Sequence, residues 1–430
     1  MLARTRLRSA AVVAVLALFG PFLAPLLPAE AAAKVPTKFV VAGSGAGHGV
    51  GMSQYGAYQL ARTGSTAEQI LGYFYPGTSV DWANNNPRTV KVQVLGPPSD
   101  KKKTATITVK GGRFTVADST GRVVSVAKAG KVKVTVKGAK VRATVEKKSL
   151  TAARLKLTTT GTATVTGAQG SYHYGNLQVT VIGKRLNVVN EVAMNTEYLY
   201  GLDEMPASWG GAGGAEALKA QAIAARTFLI GQLLNHLNAT QRQPSAGLAS
   251  CDCHVFDDER SQNYTGWKKA GSKANAAWVR AVNSTIQPDP SKHDGSGAQV
   301  VFSAAGQIAE MPYFASTGIA AGARTGANAD VFGTAQLAYL RSVADPYSAQ
   351  APGNPYRSWT RKVSQATAAK IFNLNKISRI VVSGTYSGGL VKSLTATAAN
   401  GRSVTLTKTS RAWMDALGVP SPWLSSLKPG

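Results

Sequence analysis

The chain has 430 residues, 44% of them apolar, enough for one large core or two to three ordinary ones, which excludes a disordered polymer. Two Cys exclude a miniature scaffold built on disulfides. A formal net charge of +27, from 48 Lys+Arg against 21 Asp+Glu, implies an anionic partner: nucleic acid, a membrane or an acidic wall polymer.

The first expected element is a targeting segment. Arg4, Arg6 and Arg8 precede an apolar run from Ala10 to Leu27, and small residues follow through Ala33. This predicts a secretory signal over residues 1–33, with an uncleaved anchor as the other reading. No later run approaches the roughly 18 apolar residues of a membrane span. The rest of the chain is therefore expected outside the cytoplasmic membrane, in the cell wall, and nucleic acid drops out as a partner.

Ser53 to Ala61 reads as a helix ended by Gly64, and Ser65-Thr-Ala-Glu68 as a capping box that opens a second helix through Tyr73. The charge then concentrates. Arg88 to Lys156 holds eighteen Lys+Arg against Asp100, Asp118 and Glu146, a local excess of +15. Thr104 to Lys110, Lys131 to Lys137 and Lys140 to Glu146 alternate apolar with Lys or Thr, and Gly111-Gly112, Gly121, Gly130 and Gly138 supply turns. The pattern predicts a small antiparallel β-domain with a Lys-rich solvent face. Two readings of that face stand: protection of exposed strands against sheet association, or electrostatic docking on an anionic wall polymer.

Asn176 to Val192 predicts paired strands turning at Gly183-Lys184. Ala215 to Leu237 predicts the strongest helix, with Leu218, Ala222, Ala225, Leu229 and Leu233 on one face. Asn283 to Gly297, holding Pro288 and Pro290, is expected as a loop. Beyond Pro352-Gly-Asn-Pro355 an α+β segment follows, with a helix over Ser364 to Phe372 and an apolar stretch around Trp413 and Leu417.

Nucleophile-elbow, dinucleotide, P-loop and H-E-x-x-H motifs are absent, and the five His are scattered at 48, 173, 236, 254 and 293. The most distinctive stretch runs from Glu197 to Trp209 and on through Glu216 to Thr227. Glu204 stands before Met205-Pro206, in a turn, because Pro206 biases Met205 away from helix. Apolar Leu202, Met205 and Trp209 flank it, and the Asp203 carboxylate adjoins it. Such surroundings raise a carboxyl pKa, which suits a general acid in glycosidic cleavage; a capping or solvated Glu is the plainer reading.

These residues, with Gly47-His-Gly-Val-Gly-Met-Ser-Gln-Tyr-Gly-Ala57, resemble the SpoIID/LytB family of stage II sporulation protein D and the amidase enhancers. Ile70 to Thr78, Leu186 to Glu191, Ser261 to Gly266 and Pro312 to Gly318 also match. The resemblance touches about residues 38–82 and 174–420. It implies a peptidoglycan lytic transglycosylase, acting on glycan strands poor in stem peptides, without a cofactor. The family's catalytic glutamate falls on Glu204, as acid and then base, giving 1,6-anhydro ends. A non-catalytic wall-binding enhancer of a partner amidase is the rival reading, and an ordinary hydrolase a third.

The implied fold is α+β: a mixed catalytic domain of short helices and strands plus the inserted Lys-rich antiparallel β-domain. The expected layout is residues 34–82 completing the catalytic domain, 83–173 the basic insert, 174–350 the catalytic core and 351–430 a C-terminal α+β segment of the same domain. The GHGVGMSQ segment precedes the glutamate here, which is read as a permuted order around the same site. Gly45 to Gly51 would make a tight loop. His48, Gly49, Met52, Ser53, Gln54 and Tyr55 are the glycan-contacting candidates there, with a structural role as the other reading of His48.

Further along, Tyr200, Trp209 and Tyr264 are candidates for sugar stacking, with buried aromatics as the commoner reading, and Gln262, Ser316 and Thr317 are candidates for binding. Ser316 to Gly318 match the family segment in part, with Ile319 in place of a Gly. Gln221 and Arg226 read equally as buried structural polar groups. A structural zinc, expected in related sporulation enzymes, would need Cys251, Cys253 and His254, but Ser261 replaces the usual further Cys. A Cys251–Cys253 disulfide and free thiols remain alternatives.

Overall fold

Alternating β-branched and polar residues give the chain more strand than helix, and several of its helices collect around one Ala-rich rod. The computed structural model describes residues 34–84, 89–126, 128–235, 248–287, 297–319 and 322–430. The expected signal over residues 1–33, His236, His293 and residues 288–296 of the expected loop lie outside the described residues. Among the described residues no helix is long and apolar enough to cross a membrane. The fold is mixed α+β, with several separate sheets.

The basic region forms two sheets around one core, antiparallel except where Val255–Phe256 pairs in parallel with Val92 and Gln93 at the edge of the second. One has six strands in the order Lys148–Ala152, Lys140–Val145, Gly130–Lys137, Thr104–Lys110, Thr162–Val165 and Ser171–Tyr172. The other has seven and takes in the hairpin of Asn176–Ile182 and Arg185–Ala193, whose turn residues Gly183 and Lys184 both have positive φ. Ile107, Val109, Val134 and Val141 from the first sheet bury in one cluster with Val116, Leu155, Leu157 and Val179 from the second. The seven-stranded ladder continues across residue 174: Leu155–Leu157 pair with Leu177–Val179, and Val188–Ala193 with Thr89–Leu95. Alternation along each strand thus sends Val inward and Lys or Thr to solvent.

Helix α1 spans Gln54–Arg62, capped by the Ser53 hydroxyl. Helix α2 spans Ala67–Phe74, and its capping box is one residue later than expected. Thr66 is the extended cap and Gln69 its reciprocal partner; Glu68 instead meets Lys219 at 3.1 Å. Helix α3 spans Ala215–Asn235. Its expected apolar stripe is buried, but so is nearly every other face, because α1, α2, Ala276–Asn283 and strand Gly297–Phe302 surround it. Ala217, Ala220, Ala222, Ala224 and Ala225 permit that close approach on all sides.

A second core gathers Phe39, Val41, Phe372, Ile380, Leu394 and Trp413. Here strand Lys38–Ser44 lies between Trp359–Ser364 and Trp423–Pro429. The beginning of the described chain is thereby stitched to its end. Helices Gln365–Phe372, capped by Ser364, and Ser410–Leu417 cover this sheet and the Ile377–Thr407 meander.

Candidate active site

The Gly-rich loop after Lys38–Ser44 has positive φ at Gly45, Gly47, Gly49 and Gly51. A Cβ at Gly47 would stand 2.7 Å from the Phe314 Cβ, and one at Gly51 2.0 Å from the Pro312 carbonyl oxygen. Only glycine lets the loop press so closely on Pro312–Phe314. Met52–Ser53 then pairs in parallel with Tyr313–Phe314. This packing brings the N-terminal loop to Glu204. Gly47, His48, Glu204, Tyr313, Phe332 and Arg411 share the wall of one cleft of about 550 Å³, a volume within the ordinary range of ligand sites.

Glu204 lies in the turn expected from Pro206, partly buried. Its Oε1 accepts the Asn263 backbone N–H at 2.7 Å, and the Tyr313 and Gln54 side chains also hydrogen-bond its carboxyl. Burial is the main cause that raises its pKa; these three donors oppose the rise, and the Asp203 charge adds a lesser push upward. Asp203 is itself paired with Lys269 Nζ at 2.7 Å. Desolvation, more than the neighbouring carboxylate, therefore dominates.

Behind Glu204 runs a one-way hydrogen-bond chain. Tyr198 donates its phenol proton to Gln262 Oε1 at 2.9 Å, and Gln262 Nε2 donates to the Tyr313 oxygen at 2.9 Å. Tyr313, its oxygen so occupied, donates to the glutamate. Tyr313 and Asn263 were not singled out in the sequence, although both sit inside the matching segments around residues 261–266 and 312–318. Their only signal was that membership.

His48 is held, not displayed. Its Nδ1 accepts from Val50 N–H at 3.0 Å, which leaves Nε2 as the protonated nitrogen facing the Tyr313 carbonyl. Phe314 and Phe332 lie 5.9 and 5.2 Å from its ring. Burial first, and the Arg411 charge second, lower its pKa to about 4, so the imidazole is neutral above mildly acidic pH. Its ring lines the cleft while its nitrogens brace the segment that carries Tyr313.

The remaining expected contacts divide sharply. Gln54 reaches Glu204 and also donates to Gln221 Oε1 at 3.3 Å; Gln262 sits one bond further back. Gly49 packs beneath Trp423, and fully buried Met52 takes the Tyr75 hydroxyl on its N–H. Ser53 meets Ser348 at 2.6 Å, Thr317 donates to Asp345 at 2.8 Å and Ser316 accepts from Asn354 at 2.9 Å, a buried knot behind the cleft. Tyr55 and Trp209 join an aromatic cluster with Tyr58, which stacks on Trp209 at 4.3 Å. Tyr264 is buried, stacked on Tyr198 and bonded to Asn190. Tyr200 bonds Asn283 away from the cleft. Arg226 is buried between Asn195, Thr285 and the Gln299 carbonyl.

Cys251 and Cys253 are joined in a disulfide. His254 Nδ1 accepts from Lys91 N–H at 3.1 Å, and no group of three His, Cys, Asp or Glu ligands is assembled among the described residues. The disulfide loop sits against the seven-stranded sheet, where Asn187 Nδ2 donates to the Cys251 carbonyl. From there the chain leads through Val255–Phe256 to Gln262 and Asn263.

Residues 183–287 match the family model described as SpoIID, stage II sporulation protein. Two relatives come from Bacillus subtilis (strain 168). An amidase enhancer is 47% identical over 47 residues, 11% of this chain and 7% of that protein. Stage II sporulation protein D is 52% identical over 40 residues, 9% of this chain and 12% of that protein. An uncharacterized protein of Brachyspira hyodysenteriae is 40% identical over 47 residues, 11% and 13% of the two chains. These matches span at most 13% of the curated relatives' length. No solved structure matches. Glu204, Gln262 and Asn263 all lie within the matched span, so the likeness to the SpoIID family takes in the carboxyl and two of the residues around it.

Proposed function

We propose that the protein is a peptidoglycan lytic transglycosylase acting outside the cytoplasmic membrane. The observation that carries this reading is a partly buried carboxyl of raised pKa, Glu204, opening into a cleft of about 550 Å³ with three oriented hydrogen-bond donors on it. In its acid form Glu204 protonates the bridging oxygen between the C1 of N-acetylmuramic acid and the following N-acetylglucosamine. The C6 hydroxyl of the same muramoyl residue attacks C1 as that bond breaks. The carboxylate then takes the C6 hydroxyl proton, which restores the acid and leaves a 1,6-anhydro end. Water is not consumed, and one carboxyl serves both proton transfers. Tyr313, Gln54 and Asn263 N–H hold the carboxyl and keep its pKa from climbing too far to release the proton.

The extracytoplasmic location rests on the basic-then-apolar start of the sequence and agrees with a disulfide. The proposed partners are glycan strands and an anionic polymer of the wall. A second reading, a non-catalytic enhancer of an amidase, is favoured by the 47% identity to the amidase enhancer. Incubation with peptide-free glycan strands separates them. Anhydro-muramoyl ends support the transglycosylase, reducing ends a hydrolase, and binding without cleavage the enhancer.

A further inference from the structure

The six-stranded sheet turns an unusual face to solvent. Along Gly130–Lys137 and Lys140–Val145 the outward positions are Lys131, Lys133, Thr135, Lys137, Lys140, Arg142 and Thr144. The neighbouring strands Thr104–Lys110 and Thr162–Val165 add Thr104, Thr106, Thr108, Lys110, Thr162 and Thr164 on the same side. All thirteen positions are Thr, Lys or Arg, and none is acidic.

Edge protection does not explain this arrangement. Lysines that block sheet association belong on edge strands, whereas Lys131, Lys133, Lys137 and Arg142 stand on interior strands; the edges are Lys148–Ala152 and Ser171–Tyr172. Lys137 directly opposes Lys140, a pairing that costs stability in the isolated sheet. A bound polyanion reverses that cost. Neighbouring cations such as Lys131 and Lys133 stand about 6.7 Å apart along a strand. Across strands Lys131 faces Thr108, Lys133 faces Thr106 and Thr144, and Arg142 faces Thr135, so Thr hydroxyls alternate with the cations as further donors.

We propose that this face is a docking platform for a linear phosphodiester polymer of the envelope, of the poly(polyol phosphate) kind. The inference rests on the extracytoplasmic location proposed above. Nucleic acid is also a phosphodiester, but a single-strand platform needs exposed aromatic rings on which bases stack. None of the exposed large apolar side chains, Trp82, Val123, Ile319, Phe332 and Tyr356, lies on this sheet. A polymer without bases fits a Thr/Lys plane.

The test is binding of the full chain to soluble poly(glycerol phosphate), poly-glutamate and a single-stranded oligonucleotide while NaCl is raised from about 50 mM. A quadruple variant, Lys133→Gln, Lys137→Gln, Lys140→Gln and Arg142→Gln, is expected to lose poly(glycerol phosphate) affinity by about tenfold or more at low salt and to show a shallower salt slope. Lys133→Arg, Lys137→Arg and Lys140→Arg together should keep it. So should Lys362→Gln, Lys370→Gln, Arg379→Gln and Lys428→Gln, which remove equal charge from the C-terminal segment. Equal losses in both Gln sets, no binding by the unaltered chain, equal binding of poly-glutamate or tighter binding of the oligonucleotide each overturn the proposal. Cleavage of polymer-free glycan strands, assayed on the same samples, keeps the two readings apart. An unaltered chain that docks in this pattern without cleaving overturns the transglycosylase and supports the platform.

Discussion

The cleft around Glu204 and the Lys/Thr sheet use charge in opposite ways. In the cleft burial does the work: it lifts Glu204, holds His48 neutral, and makes each hydrogen bond to the carboxyl count. On the sheet, charges are many and solvated, so each contributes little and salt screens them. The difference teaches that net charge marks a partner surface, while chemistry is found where a charge is desolvated.

Breaking the cleft should give the largest effect. Glu204→Gln keeps the shape and removes the transferable proton, so formation of anhydro ends should fall about a thousandfold, measured on soluble strands with folding checked by circular dichroism. An unchanged rate would move the chemistry elsewhere. Tyr313→Phe should lower the rate about tenfold, since it removes a charge-assisted hydrogen bond. That bond favours the carboxylate, so its loss raises the Glu204 pKa further and shifts the alkaline fall of the pH–rate profile to higher pH. A profile that moves down in pH would contradict the assigned direction.

His48→Phe tests bracing against substrate contact. It leaves the Val50 N–H and the Tyr313 carbonyl without the imidazole, at a cost of about 2 kcal/mol in unfolding free energy. A stable variant that loses only substrate affinity would restore the contact reading.

Asp257 gives a smaller, pH-dependent effect. Burial first, and the adjacent Asp258 charge second, raise its pKa to about 7. A raised carboxyl pKa stabilises the fold below the usual range near about 4, and that stability is lost as pH rises through about 7. Asp257→Asn should therefore melt a few degrees above the unaltered protein at pH 8 and show no advantage at pH 4. Smallest of all, raised salt should hardly change cleavage of polymer-free strands while it abolishes docking on the sheet; parallel salt curves for both would erase the contrast drawn here.

Much was legible because some signals are local. The strict alternation of Lys131–Lys137, the turn at Gly183-Lys184 and the helix starts near Ser53 and Ser364 follow from strand geometry, turn chemistry and helix ends within a few residues, with both Ser standing as caps one residue ahead of the helices. The capping box slipped by one residue because Ser65-x-x-Glu68 and Thr66-x-x-Gln69 offer overlapping matches, and only Lys219, far along the chain, draws Glu68 away. The aromatics near the glutamate were harder. Trp209 and Tyr264 sit beside it in sequence or motif, yet stack on Tyr58 and Tyr198, because no short-range rule separates an aromatic facing sugar from one facing another ring.

By itself the sequence determined the turn that holds Glu204, the concentration of basic charge and the strands that carry it. Those are matters of composition, backbone propensity and side-chain period. Tertiary structure decided that the Gly-rich loop, the Pro312–Phe314 segment and the Gln262–Asn263 turn converge on that carboxyl. It also decided that the lysines stand on interior strands. Both depend on which distant segments desolvate or hydrogen-bond one another, and the free energy of those contacts resides in the packed chain, not in any one stretch of it.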